Sequence, residues 1–403
     1  MSLSDNIARL SPSATMAVSA LARELRAKGR DVINLSAGEP DFNTPEWIGE
    51  RAVQGIREGA TRYTPAPGLP ELREAVAGYL RSRAGADHGE IRPEEVVVSC
   101  GAKHSLFNTC FSLFGPGDRV LVAAPYWTSY PEMVTLARAE PVPVRGPEAN
   151  GFRLEPKDLE EAAQGGARGL IICSPANPTG AVYSPSELQA VAEWARERGV
   201  WLISDEIYRS IYFGLGERPR APGVLDLPPE SLGPFVLVDG VSKAFAMTGW
   251  RIGFTWSSRE LASRMAALQS HITSNPAAPS QLAALEALEN RERAAGEVEE
   301  MRKVFHRRRD RVLSLMEEHL PGVEYVRPEG AFYLFFRVDG SFHGDVSDST
   351  AWCRWLLEET GVAVVPGAAF GDDRYARLSF ATSDDLLEDA LRRMGEAVAR
   401  VSR

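Results

Sequence analysis

Several kinds of functional sequence are missing from this chain of 403 residues. It has four cysteines and six histidines, without CxxC, HxH or HExxH spacing among them. We therefore expect no metal site. Each cysteine sits in an apolar stretch, which is typical of structural thiols in a reducing compartment. The four cysteines are Cys100, Cys110, Cys173 and Cys353.

Long apolar runs and an excess of positive charge are also missing. No stretch reaches the length of a membrane-spanning helix, and the N-terminus lacks a charged start followed by an apolar core. We therefore predict a cytoplasmic protein. The formal net charge of -10 argues against a general nucleic-acid binder. The basic run from His306 to Arg311 lies in a helical pattern from about Glu297 to Leu320, and we interpret it as a solvated helix face.

A dinucleotide-binding signature is absent as well, since no predicted strand is followed by GxGxxG. This argues against a nicotinamide dehydrogenase. What is present, from residue 95 onward, is a series of short apolar runs that alternate with helix-length stretches. Such runs predict a mostly parallel sheet of an α/β protein, covered by helices on both faces. The predicted strands are Val96–Val98, Val120–Val122, Gly169–Ile172, Trp201–Ile203 and Phe235–Val238.

The length of the chain predicts two domains. A smaller α/β unit follows a mostly helical region, and the N-terminal segment is too short to form a domain alone. We therefore predict a large domain over residues 46–290 and a small domain built from 1–45 and 291–403.

The most informative stretch is Ser242–Gly253, which follows the strand Phe235–Val238 and a turn predicted at Asp239–Gly240. A lysine just beyond a buried strand loses hydration, which lowers its pKa toward the free amine. A free amine can form a Schiff base with a carbonyl-bearing cofactor. Lys243 is the candidate nucleophile, and Arg251 can hold an anionic group of the same ligand.

The other strand ends carry matching groups, and ligands of parallel sheets bind beyond those ends. Gly101 and Ala102 precede a helix whose first amides can bind an anion, and Trp127 can stack on a flat ring. Asn177, between two prolines, is a fixed hydrogen-bond donor. Taken singly, each has an ordinary structural reading: a small-residue turn, a core tryptophan, a plain turn.

Asp205 and Tyr208 follow the strand Trp201–Ile203. A carboxylate at that depth needs a partner, and a protonated ring nitrogen would serve. Tyr208 can donate to a phenolic oxygen. A capping aspartate is the ordinary alternative. Together the strand-end groups require an anion, a flat ring, a ring nitrogen, a phenolic oxygen and an aldehyde, and pyridoxal phosphate has all five.

With these residues in place, the sequence from about Pro12 to the C-terminus resembles the class I aminotransferases of fold type I, in their bacterial aspartate aminotransferase branch. The resemblance implies a seven-stranded sheet in the large domain. The motifs that carry it are Ala14-Thr15, Ala37-Gly38-Glu39-Pro40-Asp41-Phe42, Tyr63, Asn177-Pro178-Thr179-Gly180, Asp205-Glu206-Ile207-Tyr208, Ser242-Lys243 through Gly253, and Ala376-Arg377-Leu378-Ser379-Phe380.

The resemblance implies a role for each matching cofactor residue. Lys243 would form the internal aldimine and then move a proton from the substrate α-carbon. Asp205 would keep the pyridine nitrogen protonated, while Asn177 and Tyr208 would bond the ring 3-oxygen. Trp127 would stack on the ring face.

The cofactor phosphate has its own implied ligands. Arg251 would hold it together with the amides of Gly101 and Ala102, in the loop that also carries Lys103. Tyr63 would reach the phosphate of the other subunit, which implies a homodimer with shared active sites.

The family also implies the substrate contacts. Arg377 would clamp the α-carboxylate, helped by Gly38, Asn177 and the neighbouring Trp127. Lys103 and Thr15 are associated with a distal carboxylate.

These substrate contacts favour aspartate:2-oxoglutarate amino transfer through ping-pong half-reactions. Aminotransferases of other specificity (alanine, aromatic or prephenate) and a C–S lyase on the same scaffold remain alternatives. Ser11 stands where prephenate-using members carry lysine, which argues against efficient prephenate use.

Overall fold

Three sheets organise the part of the chain that the structure describes. It is a computed structural model, and it describes residues 4–8, 10, 14–85, 88–214 and 219–401. The strands are β1 Ile33–Asn34, β2 Val96–Ser99, β3 Arg119–Ala124, β4 Glu140–Arg145, β5 Gly169–Cys173, β6 Trp201–Asp205, β7 Phe235–Gly240, β8 Gly253–Trp256, β9 Tyr325–Val326, β10 Tyr333–Arg337, β11 Val362–Ala363, β12 Val365–Pro366 and β13 Tyr375–Ser379.

The largest sheet has seven strands in the order β2-β8-β7-β6-β5-β3-β4. Neighbours from β7 to β4 pair in parallel, and only β8 runs antiparallel to the strands on either side of it. The predicted mostly parallel α/β sheet is therefore confirmed. The carboxyl ends of β2, β3, β5, β6 and β7 meet at one edge, which is where the sequence places its polar groups.

Two of the seven strands, β4 and β8, were not recognised as apolar runs. Pro141 and Pro143 interrupt β4, and proline is tolerated there because β4 is an edge strand. The turn predicted at Asp239–Gly240 is wrong, because β7 continues through both residues. Asp239 pairs in register with Phe254 of β8.

Both faces of the large sheet are buried. Alternate residues of the central strands enter two different hydrophobic clusters: Ile203 and Val236 belong to one, and Leu202 and Leu237 to the other. Because successive side chains of a strand point to opposite faces, this alternation places one cluster on each side of the sheet. The near-continuous apolar strands are explained by this double burial.

Helices cover these faces and form the connections. Their bounds are α1 Asp5–Ala8, α2 Ala14–Ala27, α3 Glu46–Arg57, α4 Pro70–Arg81, α5 Ala102–Leu113, α6 Ser129–Leu136, α7 Pro156–Ala162, α8 Pro185–Arg198, α9 Arg259–Ser270, α10 Ala278–Glu289, α11 Arg291–His319, α12 Ser349–Thr360 and α13 Asp384–Val401.

Helix α8 shows how local sequence sets such boundaries. The Ser184 hydroxyl accepts from the Glu187 amide, and the Glu187 carboxylate accepts from the Ser184 amide. Pro185 occupies the first helical position, where its missing N–H is not needed. Gly199 ends the helix with φ of 63°. The crossover between β5 and β6 is therefore encoded almost entirely within residues 184–199.

The remaining strands belong to two small sheets. One has the order β12-β13-β10-β9, and the other pairs β1 in parallel with β11, so the N-terminal segment joins the C-terminal part of the chain. The division into a large domain over residues 46–290 and a small domain built from 1–45 and 291–403 stays a prediction.

The basic run His306–Arg311 corrects one expectation. The run lies in α11, but Arg308 and Arg309 are buried rather than solvated. Arg308 makes two hydrogen bonds to the Asp41 carboxylate, at 2.7 and 2.9 Å, and Arg309 donates to the Pro328 carbonyl at 2.8 Å. Only part of the run, including Arg307, forms the solvated face. The buried arginines instead attach α11 to neighbouring loops.

Candidate active site

A cavity of about 370 Å³ opens at the carboxyl edge of the large sheet. This volume lies in the usual range for small-molecule sites. Most of the candidate residues from the sequence line it, although they come from distant parts of the chain. They are Thr15, Gly38, Ala102, Lys103, Trp127, Asn177, Asp205, Tyr208, Lys243, Arg251 and Arg377.

Lys243 projects into this cavity from the segment that follows β7. Its Nζ donates a hydrogen bond of 2.7 Å to the Gly38 carbonyl. Burial lowers the pKa of Lys243 to about 8, and the charges of Arg251 and Arg377 act in the same direction. The amine is therefore available as a base or nucleophile much nearer neutrality than an ordinary lysine.

Asp205 is the last residue of β6 and is buried. Its Oδ2 accepts from the Tyr130 hydroxyl at 2.7 Å, and its Oδ1 accepts from the Ile207 amide at 3.1 Å. Burial raises the pKa of Asp205 to about 6, against the lowering effect of these two hydrogen bonds. A carboxylate held this way can accept a further hydrogen bond from a protonated group of a ligand bound in the cavity.

Arg377 lies on β13, lines the same cavity and is only 1% exposed. Its Nη1 donates to Asn177 Oδ1 at 2.8 Å, and its Nη2 donates to the Ser36 carbonyl at 2.9 Å. The ring of Tyr333 lies 4.3 Å from the guanidinium carbon. The Arg377 Nε has no hydrogen-bond partner among the described residues. A buried guanidinium with a spare donor is a site for a carboxylate.

The Tyr208 and Tyr333 hydroxyls are hydrogen-bonded to each other at 2.8 Å. Burial and the neighbouring Tyr333 raise the pKa of Tyr208 well above its ordinary value, so its hydroxyl keeps its proton as a donor. Both tyrosines line the cavity between Lys243 and Arg377.

The anion end of the cavity is formed where α5 begins. Gly101 precedes that helix with φ of 85°, and a Cβ there would lie 2.3 Å from the Arg251 Nη2. The Arg251 Nη1 donates to the Thr248 carbonyl at 2.8 Å. The absence of a side chain at Gly101 thus lets a guanidinium reach the N-terminal amides of α5, which is a favourable place for a phosphate.

Lys103 and Thr15 contribute to the cavity near Trp127. The Lys103 Nζ lies 4.9 Å from the centre of the Trp127 ring. Burial, and then the charge of Arg251, lower the pKa of Lys103. A cation in this position would be stabilised by an additional carboxylate on a bound ligand.

Two predicted site residues lie elsewhere. Tyr63 is 90% exposed and is not among the residues that line the cavity. Gly101 is absent from the wall itself and acts through Arg251. Ser11, which bears on prephenate use, lies outside the described residues.

Sequence reasoning missed several residues of the cavity wall, notably Tyr130, Tyr333 and Cys173, and it gave no role to Ser242, which also lines the cavity. Tyr130, in the first turn of α6, lies three residues after Trp127, and its ring meets the Trp127 ring edge-on with centroids 5.5 Å apart. That spacing is a signal that could have found it. Tyr333 belongs to β10 of a different sheet, and no local pattern connects it with Tyr208.

The described residues contain no group of three or more His, Cys, Asp or Glu side chains arranged to hold a metal ion. Among the helices of the described ranges, none has the length and apolar character needed to cross a membrane. All four cysteines are free.

Comparison with known proteins identifies the family and several relatives of this chain. Residues 30–394 match the family model described as aminotransferase class I and II. Aspartate aminotransferase from Geobacillus stearothermophilus is 41% identical over 395 residues, covering 98% of both chains. Aspartate/prephenate aminotransferase from Cereibacter sphaeroides is 41% identical over 411 residues, covering 99% of both. The solved structure of aspartate aminotransferase from Thermus thermophilus with maleate superposes with a TM-score of 0.90 at 40% identity, covering 98% of this chain and 99% of that one.

Proposed function

The chain belongs to the class I and II aminotransferase family. We propose that it transfers an amino group between aspartate and 2-oxoglutarate using pyridoxal 5′-phosphate. The observation that carries the proposal is the shared cavity of Lys243, whose pKa is lowered to about 8, and Arg377, whose buried Nε has no partner among the described residues. The first suits an aldehyde cofactor, and the second suits an amino-acid carboxylate.

The residues present fit the cofactor phosphate. Arg251 and the Ala102 amide would hold it at the start of α5, beside the Gly101 amide, which donates to the Ser99 carbonyl at 2.7 Å. The close approach of Arg251 to Gly101, which a Cβ would block, supports this role. Lys103, one residue further along, adds positive charge to the same end of the cavity.

The ring would be held by groups from three strand ends. Asp205 would bond its nitrogen, and Asn177 and Tyr208 would bond its 3-oxygen. Trp127 would cover one face of the ring. The burial of Asp205 and the high pKa of Tyr208 support an acceptor at one position and a donor at the other.

When bound, pyridoxal phosphate supplies an aldehyde that condenses with amines and a ring that accepts electrons from the substrate α-carbon. Lys243 is the base that takes the α-carbon proton at its Nζ. Its pKa of about 8 lies closer to neutral pH than the ordinary lysine value of 10.5, which favours proton transfer.

Arg377 would fix the α-carboxylate and thereby the direction of the bond that breaks. Two of its donor groups are held by Asn177 and Ser36, so the guanidinium plane is set before substrate arrives. Gly38 would assist through its backbone, and Trp127 would border the substrate as well as the ring.

The preference for aspartate rests on Lys103 and Thr15. Both lie on the cavity wall, where a second carboxylate of the substrate could be bound. The Thermus structure is described with maleate, a four-carbon dicarboxylate like aspartate, which supports a dicarboxylic substrate.

The active assembly would be a homodimer with shared sites. Tyr63 is exposed on the single chain, and Val53, Ile56 and Ile272 are exposed apolar side chains that an interface could cover. In the dimer Tyr63 would contact the cofactor phosphate of the partner. The proposed location is the cytoplasm, where the four free cysteines would stay reduced.

A substrate panel tests this function. The purified protein, loaded with pyridoxal phosphate, is assayed with aspartate, glutamate, alanine, phenylalanine and the amino product of prephenate, and separately with a cysteine thioether, whose release of ammonia and thiol tests for C–S lyase activity. We expect aspartate and glutamate to give the highest kcat/KM. Faster turnover of alanine, phenylalanine or the prephenate product, or lyase activity alone, would contradict the assignment.

A further inference from the structure

Tyr130 has no part in the function described so far, yet it makes a direct contact with one of its central residues. It lies in the first turn of α6 and is 2% exposed. Its hydroxyl donates to Asp205 Oδ2 at 2.7 Å, and both residues line the cavity. A buried hydroxyl aimed at a buried carboxylate changes both the orientation and the basicity of that carboxylate.

The hydrogen bonds to Asp205 are divided between its two oxygens. Oδ2 accepts from Tyr130, and Oδ1 accepts from the Ile207 amide. Since each carboxylate oxygen has about two acceptor positions, one group in the cavity can still bond to it. Among the side chains of the described residues, only Tyr130 donates to Asp205, and the backbone supplies the other hydrogen bond.

The other ionisable groups near Asp205 are already engaged, including Lys243, whose Nζ donates to the Gly38 carbonyl. Asp239 on β7 and Glu206 both form ion pairs with the buried Arg83, whose Nη1 lies 2.9 Å from Asp239 Oδ2. Cys173 pairs with Asp205 across β5 and β6, and its Sγ donates to the Pro175 carbonyl at 3.2 Å. The basicity of Asp205 is therefore set mainly by burial and by Tyr130.

A carboxylate and a ring nitrogen that share one proton place it on the more basic partner. A donor to the carboxylate stabilises its charged form and makes it the weaker base. Resting on the proposed function, we propose that Tyr130 is a positioning residue that keeps the shared proton on the ring nitrogen of pyridoxal phosphate rather than on Asp205. In agreement, the Tyr130 hydrogen bond opposes the raised pKa that burial gives Asp205.

The packing of Tyr130 allows its hydroxyl to be removed without disturbing the ring. The Trp127 and Tyr130 rings meet at 83°, so phenylalanine at position 130 keeps the same edge-to-face contact. Tyr183 offers a matched control, because it is 4% exposed and its hydroxyl accepts from the Leu154 amide at 2.9 Å. Tyr130→Phe and Tyr183→Phe each lose one buried hydroxyl, but only the first affects Asp205.

The test follows the ring nitrogen directly. Wild type, Tyr130→Phe and Tyr183→Phe are loaded with pyridoxal phosphate labelled with ¹⁵N in the ring, and the ¹⁵N chemical shift is recorded against pH. We expect Tyr183→Phe to match wild type. In Tyr130→Phe a larger share of the proton should lie on Asp205, so the ¹⁵N shift at neutral pH should move toward that of the unprotonated ring, and the dissociation constant of the cofactor should rise about tenfold or more.

Three outcomes distinguish a failure of the Tyr130 proposal from a failure of the proposed function. If Tyr130→Phe binds the cofactor with the same titration as wild type and Tyr183→Phe, the role of Tyr130 is refuted. If wild type itself binds no pyridoxal phosphate, the proposed function fails instead. Should Tyr130→Phe not fold, 3-fluorotyrosine placed at position 130 keeps the shape and donates more strongly, so the ¹⁵N shift at neutral pH should move toward that of the protonated ring. An unchanged shift would again overturn the proposal.

Discussion

Replacing Lys243 by methionine should stabilise the cofactor-free protein at neutral pH while abolishing amino transfer. Methionine keeps a long apolar stem in the same space but carries no charge. Lys243 is charged below pH 8 in a site that resists charge, so the folded protein carries an unfavourable interaction there. Active sites are often less stable than their surroundings for reasons of this kind.

The magnitude follows from the pKa. A fall from the ordinary value of 10.5 to about 8 corresponds to about 3 kcal/mol, since one pKa unit is about 1.4 kcal/mol. The side chain keeps some exposure to water, so we take roughly 2 kcal/mol. Losing the hydrogen bond to the Gly38 carbonyl offsets about 1 kcal/mol of this gain. The net stabilisation expected at pH 7 is about 1 kcal/mol.

The pH dependence has a definite sign. Below pH 8 the lysine is protonated in both folded and unfolded states, and its cost is fully present. Between about pH 8 and 10.5 the folded state loses the proton first, so wild type gains stability relative to the variant. The advantage of Lys243→Met should therefore shrink across this window and reverse near its upper end.

Urea denaturation of the cofactor-free proteins, followed by circular dichroism at several pH values, measures this difference. Lys157→Met is the control, because Lys157 is exposed and paired with Glu155, and its effect should stay within about 0.5 kcal/mol. If Lys243→Met is less stable than wild type at pH 7, or if the difference does not change with pH, the reasoning about Lys243 is wrong.

Three further substitutions test the ligand contacts. Asp205→Asn should weaken cofactor binding by about tenfold or more, as measured by equilibrium dialysis, because the ring nitrogen loses its charged partner; unchanged affinity would exclude that contact. Arg377→Lys should raise the KM for aspartate roughly 10–100-fold, because a lysine cannot make the planar two-point contact, whereas Arg374→Lys, in a half-exposed ion pair with Asp372, should leave it nearly unchanged. Lys103→Ala should raise the KM for aspartate far more than that for alanine, and equal effects would contradict a distal-carboxylate site.

The large sheet could be predicted because its strands are buried on both faces and read as short apolar runs. The limits of that signal are visible at β4 and at the end of β7. Two prolines interrupt the apolar pattern of β4, and Asp239 resembles a turn residue although it is buried in β7. Asp239 is stabilised there by Arg83, which lies 156 residues earlier and cannot be recognised as its partner from local sequence.

In the candidate site, too, some residues could be predicted from local sequence and others could not. Residues at the ends of parallel strands, such as Asp205 and Lys243, could be placed together because those ends share one edge of the sheet. Tyr333 could not, since its hydrogen bond to Tyr208 joins two different sheets. Arg308 was read as solvated because a basic helix face has the same pattern whether or not an aspartate such as Asp41 covers it. Tertiary contacts of this kind leave no local trace.

Chemical trapping tests the central claim most directly. The purified protein is mixed with pyridoxal phosphate, reduced with sodium borohydride, digested, and mapped by mass spectrometry. The proposed function predicts a stable phosphopyridoxyl adduct on Lys243, lost in Lys243→Met. An adduct confined to another lysine, such as Lys103, or the absence of any adduct, would contradict it.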